Sequence, residues 1–160
     1  MRWKPRPERR GFSFLGANGM TDDEIERIAT GFCAGTLPKE EWTHRAHFST
    51  ALWLMLRRPD IVPERDMAGM IAAYNESVGG VNSDTSGYHE TITLASLMAA
   101  RAVLAGLPGG ASPAEAFAAL MESPMADKDW LFAYWSRERL MSVEARRAWV
   151  EPDLRALPWD

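Results

Sequence analysis

AHFSTALWLML, residues 46–56, carries no acid, lysine or arginine, and TITLASLMAA, residues 91–100, carries none either. A helix that is apolar nearly all round belongs in the middle of a bundle, with neighbours packed on several sides. Each stretch lies inside a segment with recognisable ends. The first segment runs from about Thr43 to Arg57 and is closed by Arg58 and Pro59. The second runs from about Gly87 to Ala105 and stops at the Gly106–Gly110 stretch GLPGG. Asp84, Thr85 and Ser86 are the candidates for its N-cap.

The flanking sequence reads in the same way. Thr21 followed by Asp22, Asp23 and Glu24 opens a helix over residues 22–34 with a capping box, and Gly35 ends it. TLPKEEW (36–42) is a connector or single turn. A further helix starts near Pro63 and ends before Gly79-Gly80, and another runs from Ser112-Pro113 to Ser123. Shorter helices are expected over 127–135 and 137–151. Strand alternation is absent, so the fold class is all-α, a compact bundle of about six to seven helices. A single domain over 21–160 follows a loose basic N-terminal arm over 1–20, which holds Arg2, Lys4, Arg6, Arg9 and Arg10.

With 160 residues, 46% hydrophobic and 25% charged, the chain suits one ordinary globular domain. A net charge of −4 argues against nucleic acid as a partner, which would favour a basic face. RRGFSFL (9–15) resembles a twin-arginine export signal, but the polar, acidic GANGMTDDEIER follows where an apolar region is needed. No stretch has the length of a membrane span, so a cytoplasmic protein with no membrane partner is expected. The lone Cys33, between Phe32 and Ala34, reads as a buried inert thiol. The aromatic run DWLFAYW (129–135) reads as core or pocket wall, and RERL and EARR as solvated helix faces.

The chain has three histidines, and His44, His47 and His89 all fall at or near the starts of the two central helices. Short connections favour antiparallel neighbours, so these two helices run parallel with their N-termini at one end. His44 and His47, three apart, share a helix face. His89 and Glu90 begin the other helix, Tyr74 and Asn75 arrive at the same level, and GGVNSDTSG (79–87) rims that end. Each of these has a bland explanation: Glu90 suits a first helical turn, and a histidine at a helix start is commonly a hydrogen-bonded structural residue. Their convergence is what points to a site.

Two chemistries fit. Imidazole and carboxylate suit zinc or iron, with His44, His47 and His89 as metal ligands and Glu90 as a fourth ligand or base. Glu90 and His89 point about 100° apart on a helix, which makes joint binding of one ion awkward. The other is a metal-free pocket, in which two helix N-termini attract a small anionic ligand and the histidines act as donors or general bases. Trp42, Tyr74, Asn75, Asn82 and Tyr88 would then contact or orient that ligand. The expected function is a small-molecule enzyme with His44, His47, His89 and Glu90 as catalytic residues. The alternatives are a non-catalytic binding protein and an interaction protein using the Trp-rich C-terminal third.

EWTHRAHFSTALW (41–53) and YNESVGGVNSDTSGYHETIT (74–93) together resemble a group of small bacterial all-helical proteins marked by Trp-Thr-His-x-x-His and Gly-Tyr-His-Glu-Thr signatures. The resemblance covers roughly the middle half of the chain and gives weight to these positions without implying a particular reaction. A looser likeness, in architecture alone, exists to helical-bundle hydrolases that hold a metal with three histidines at a different spacing.

Overall fold

The computed structural model describes residues 19–159; the basic arm and the RRGFSFL segment lie outside the described residues, apart from Gly19 and Met20. Met20, just ahead of the first helix, is buried in the core. Among the described residues the structure is helical with no strand. The longer helices are α1 (Asp22–Ala34), α2 (His44–Arg57), α3 (Pro63–Ser77), α4 (Glu90–Ala105) and α5 (Pro113–Met121). Two short helices, α6 (Arg137–Leu140) and α7 (Val143–Arg147), follow, with single 3-10 turns at Lys39–Glu41, Pro124–Ala126 and Trp130–Ala133.

The ends follow from local chemistry. Thr21 and Ser112 each close a capping box, with Glu24 and Glu115 reaching back to the cap backbone. Gly35 stops α1 at φ 70°, a conformation that suits a residue without a Cβ. Thr43 caps α2 by accepting from the Ala46 N–H. α4 starts later than its sequence suggests. Gly87 has φ 80° and breaks the helix there, and His89 rather than Asp84, Thr85 or Ser86 is the N-cap. The last expected helix, 137–151, is two pieces: Ser142 caps a fresh start by accepting from the Ala145 N–H, and Ala148 turns extended.

α2 packs against α1, α3, α4 and α5, and α4 against α2, α3, α5 and α7, so the two apolar helices are the centre of the bundle. Arg101, late in α4, holds Glu64, at the start of α3, through paired contacts of 2.6 and 2.9 Å, which makes the two helices antiparallel. At its other end α3 places the Tyr74 ring 5.2 Å from Trp42, just ahead of α2. The starts of α2 and α4 therefore share one end of the bundle.

Phe32, Phe48, Leu52, Phe117, Leu120 and Trp135 fill the core. Burial of each such side chain contributes roughly 1.5–3 kcal/mol. Trp130 and Trp135 of the C-terminal aromatic run face inward, as the sequence suggests, and the Trp135 indole donates to the Val150 carbonyl at 3.0 Å. Cys33 departs from expectation. It is exposed, because its neighbour Phe32 takes the buried side of α1; partial enclosure pushes its thiol pKa up. No helix among the described residues is long and apolar enough to cross a membrane.

Candidate functional site

The shared end of α2 and α4 brings the predicted residues to one level and then assigns them different tasks. His44 is half-buried, and its Nε2 lies 2.8 Å from the Met125 carbonyl; the ring also meets Phe48 edge-on at 5.1 Å. A carbonyl accepts only, so Nε2 carries the proton and donates. His89 is buried, and its Nε2 donates in the same way to the Leu140 carbonyl at 2.8 Å. Its Nδ1 accepts from the Ile92 N–H at 3.2 Å, which completes the cap of α4. Both ring nitrogens of His89 are thus committed. Burial depresses its pKa, and the nearby Arg146 charge adds to that.

His47 differs. It is exposed, and neither ring nitrogen has a hydrogen-bond partner among the described residues. Its ring lies 4.2 Å from that of Trp42 at a tilt of 52°. Crowding by surrounding protein, followed by the charge of His44, lowers its pKa to about 4. The direction follows from that crowding; water at the exposed edge tempers its size. His47 is therefore neutral near pH 7.

Expected metal ligation by all three histidines does not find its geometry. His44 and His89 have turned their Nε2–H groups to carbonyls on different C-terminal segments. Among the described residues, no group of three His, Cys, Asp or Glu side chains is placed to hold an ion. Glu90 accepts a hydrogen bond from Tyr88 at 2.5 Å in the first turn of α4. Burial, then this carboxylate, raises the Tyr88 pKa above its ordinary value.

The residues expected to orient a ligand divide as well. Asn82 is a clamp for the loop joining α3 to α4. Its Nδ2 donates to the Ala72 carbonyl at 3.1 Å, and its Oδ1 accepts from Asn75 Nδ2 at 3.0 Å and from the Tyr88 N–H at 3.1 Å. The chain passes so close that a Cβ on Gly87 would stand 2.5 Å from Asn82 Oδ1, and one on Gly80 would stand 2.9 Å from the Asn75 carbonyl oxygen. Tyr74 spends its hydroxyl on the Leu37 carbonyl at 2.9 Å. EARR is no mere solvated face. Arg146 donates to the carbonyls of Gly87 and Tyr88 at 2.9 and 3.1 Å, and Arg147 grips Asp84 at 2.8 and 2.6 Å.

Between this pinned loop, the end of α3 and the Lys39–Glu41 turn lies a cleft of about 270 Å³. Trp42, Tyr74 and Asn75 line it together with Lys39, Ser86 and the two glycines. Trp42 also stacks on Phe32, with centroids 4.3 Å apart and planes within 10°, so its position is fixed. Lys39 carried no signal of its own in the sequence and Ser86 was marked only as an N-cap candidate; the Gly79-Gly80 and Gly87 punctuation marked the loop but not its cleft. A larger groove of about 560 Å³ also borders Tyr74, lined besides by Phe32, Cys33, Met70 and Ser77. Comparison of the chain with protein-family models, with curated proteins and with solved structures finds no match.

Proposed function

We propose that the protein is a small-molecule enzyme whose site is the end of the bundle around Trp42, with His47 as its general base. The observation that carries this reading is the contrast among the histidines. His44 and His89 are tied to backbone carbonyls, whereas His47 keeps both nitrogens free on an accessible ring. A neutral imidazole is able to accept a proton near pH 7, and general-base catalysis contributes typically 10²–10⁴-fold. Trp42 links His47 to the cleft, because its indole touches the one and lines the other. The three-histidine metal centre has no support in the donor set among the described residues.

A second reading, non-catalytic binding at the same cleft, is favoured by a specific observation. The other acid–base pair at this end, Tyr88 and Glu90, is bonded to itself. The two readings separate in a screen of small metabolites by thermal stabilisation, followed by product analysis with parent protein and His47→Gln. Turnover in the parent and its loss by at least ~100-fold in His47→Gln supports the enzyme. Turnover that survives the change sinks His47 as the base. A ligand bound by the parent and released chemically unchanged establishes the binding protein.

A further inference from the structure

We infer that the occupant of the cleft is a small carboxylate with its charge at Lys39; this rests on the reading of that end of the bundle as a ligand site. The volume, about 270 Å³, lies below the ~300–1,000 Å³ usual for drug-sized ligands, so the molecule has few heavy atoms. Among the described residues that line the cleft, Lys39 alone is charged, and its ammonium has no ion pair among them. The acids closest in sequence are Glu40 and Glu41; both act on the Tyr74 hydroxyl, and Glu41 is held by Arg27 at 2.7 Å. The Trp42 indole N–H, the Ser86 hydroxyl and the Asn75 carboxamide oxygen likewise have no partners among the described residues. Residues lining the same cleft thus offer two donors and an acceptor besides one positive charge.

The same inventory argues against a phosphate. Phosphate sites combine several strong donors, arginine forks or a lysine backed by an open helix N-terminus, because a lone lysine is only a point charge. No arginine lines this cleft, and α2 and α4 each turn one first-turn N–H to a side-chain cap, Ala46 to Thr43 and Ile92 to His89. The anion expected at those helix ends is assigned instead to the lysine, a short distance away in sequence. The wall is built in advance. Gly80 and Gly87 are held without room for a Cβ, and Asn82 ties the loop to α3 and to Tyr88. Such pinning of an irregular segment lowers the ordering cost of binding.

The test is a titration of the full chain, ¹⁵N-labelled, with glycolate, acetate, neutral glycolamide and inorganic phosphate, read at the Trp42 indole N–H and the Gly80 and Gly87 amides. Glycolate and acetate should shift these signals. Lys39→Met should weaken glycolate at least tenfold and Lys39→Arg should largely restore it, while glycolamide leaves the signals in place. Lys39 is exposed on a turn, and an unchanged unfolding midpoint verifies that both variants fold. Glycolamide binding as well as glycolate, undiminished binding in Lys39→Met, phosphate tighter than either carboxylate, or no shift at about 50 mM carboxylate each overturns the inference. Turnover lost in His47→Gln without carboxylate binding would sink the carboxylate and spare the enzyme. Carboxylate binding with turnover unaffected by His47→Gln does the reverse.

Discussion

His89 joins the start of α4 to Leu140, donating from Nε2 to its carbonyl at 2.8 Å while Nδ1 caps the helix at the Ile92 N–H. His44 repeats half of this arrangement, reaching the Met125 carbonyl at 2.8 Å from the start of α2. Two central helices thus use an imidazole to hold two irregular stretches of the C-terminal third, where backbone groups lack helical partners. A buried carbonyl without a donor is costly, and the imidazole N–H meets that need at a distance a shorter side chain does not reach.

Replacing His89 by alanine should destabilise the protein by about 2–4 kcal/mol, the sum of a lost cap and a stranded buried carbonyl. His89→Asn keeps capping chemistry but is too short for Leu140, so roughly half of the loss should remain. Urea unfolding of the three proteins near neutral pH gives the comparison. Equal stability of parent and alanine variant would show that neither bond matters.

Acid should weaken the fold through the same residue. The pKa of His89 is depressed in the folded state by burial, below the ordinary 6.5 of the unfolded chain. Between those two values the unfolded chain binds a proton that the folded chain refuses, so stability is full above 6.5 and falls as pH drops through it. Protonation also removes the Nδ1 lone pair that caps α4. The expected loss begins between about pH 7 and 5, before carboxylates titrate. His47, lowered to about 4, acts in the same direction down to that value. Unfolding midpoints measured across this range should slope downward in the parent and less steeply in His89→Asn, the slope that remains being that of His47.

The bundle was legible because its signals are local and redundant. The two uncharged stretches located α2 and α4, and Thr21, Gly35, Pro63 and Ser112-Pro113 marked ends within a residue or so. Short connections then set the helix directions. The start of α4 was misread because polar residues ahead of a helix invite capping, whereas Gly87 at φ 80° carries the chain past them to His89. At the site, sequence brought His44, His47 and His89 to one end but not to one task. Their partners, Met125 and Leu140, are far along the chain and present only backbone carbonyls, which no motif records. Asn82 was expected to orient a ligand and Arg146 to face solvent, because what they bond across the loop leaves no mark in the sequence.

Loop integrity should rest on Gly87 and Asn82. Gly87→Ala places a Cβ 2.5 Å from Asn82 Oδ1 in a left-handed conformation, and a cost of about 2–3 kcal/mol is expected from the clash and the strain. Asn82→Ala removes the hydrogen bonds to Ala72, Asn75 and Tyr88 and should speed hydrogen exchange at the Tyr88 amide without comparable change in α1 or α5. Uniform acceleration across the chain would mean that the loop and the bundle open as one unit.

His47 should show the opposite profile to His89. Its ring makes no hydrogen bond among the described residues, so His47→Gln should alter stability by no more than ~0.5 kcal/mol, as for other substitutions without buried partners. The stacking on Trp42 is the one contact at risk, and glutamine can still lie against the indole. Imidazole NMR should find His47 titrating well below His residues in unfolded peptides, with its protonated form absent near neutral pH. If it serves as the base, the acid limb of the turnover profile should follow this low value, toward about 4, and not the ordinary 6.5. An acid limb at 6.5 in a protein whose His47 titrates far lower would assign the proton to another group, and the role of His47 in turnover would fall with it.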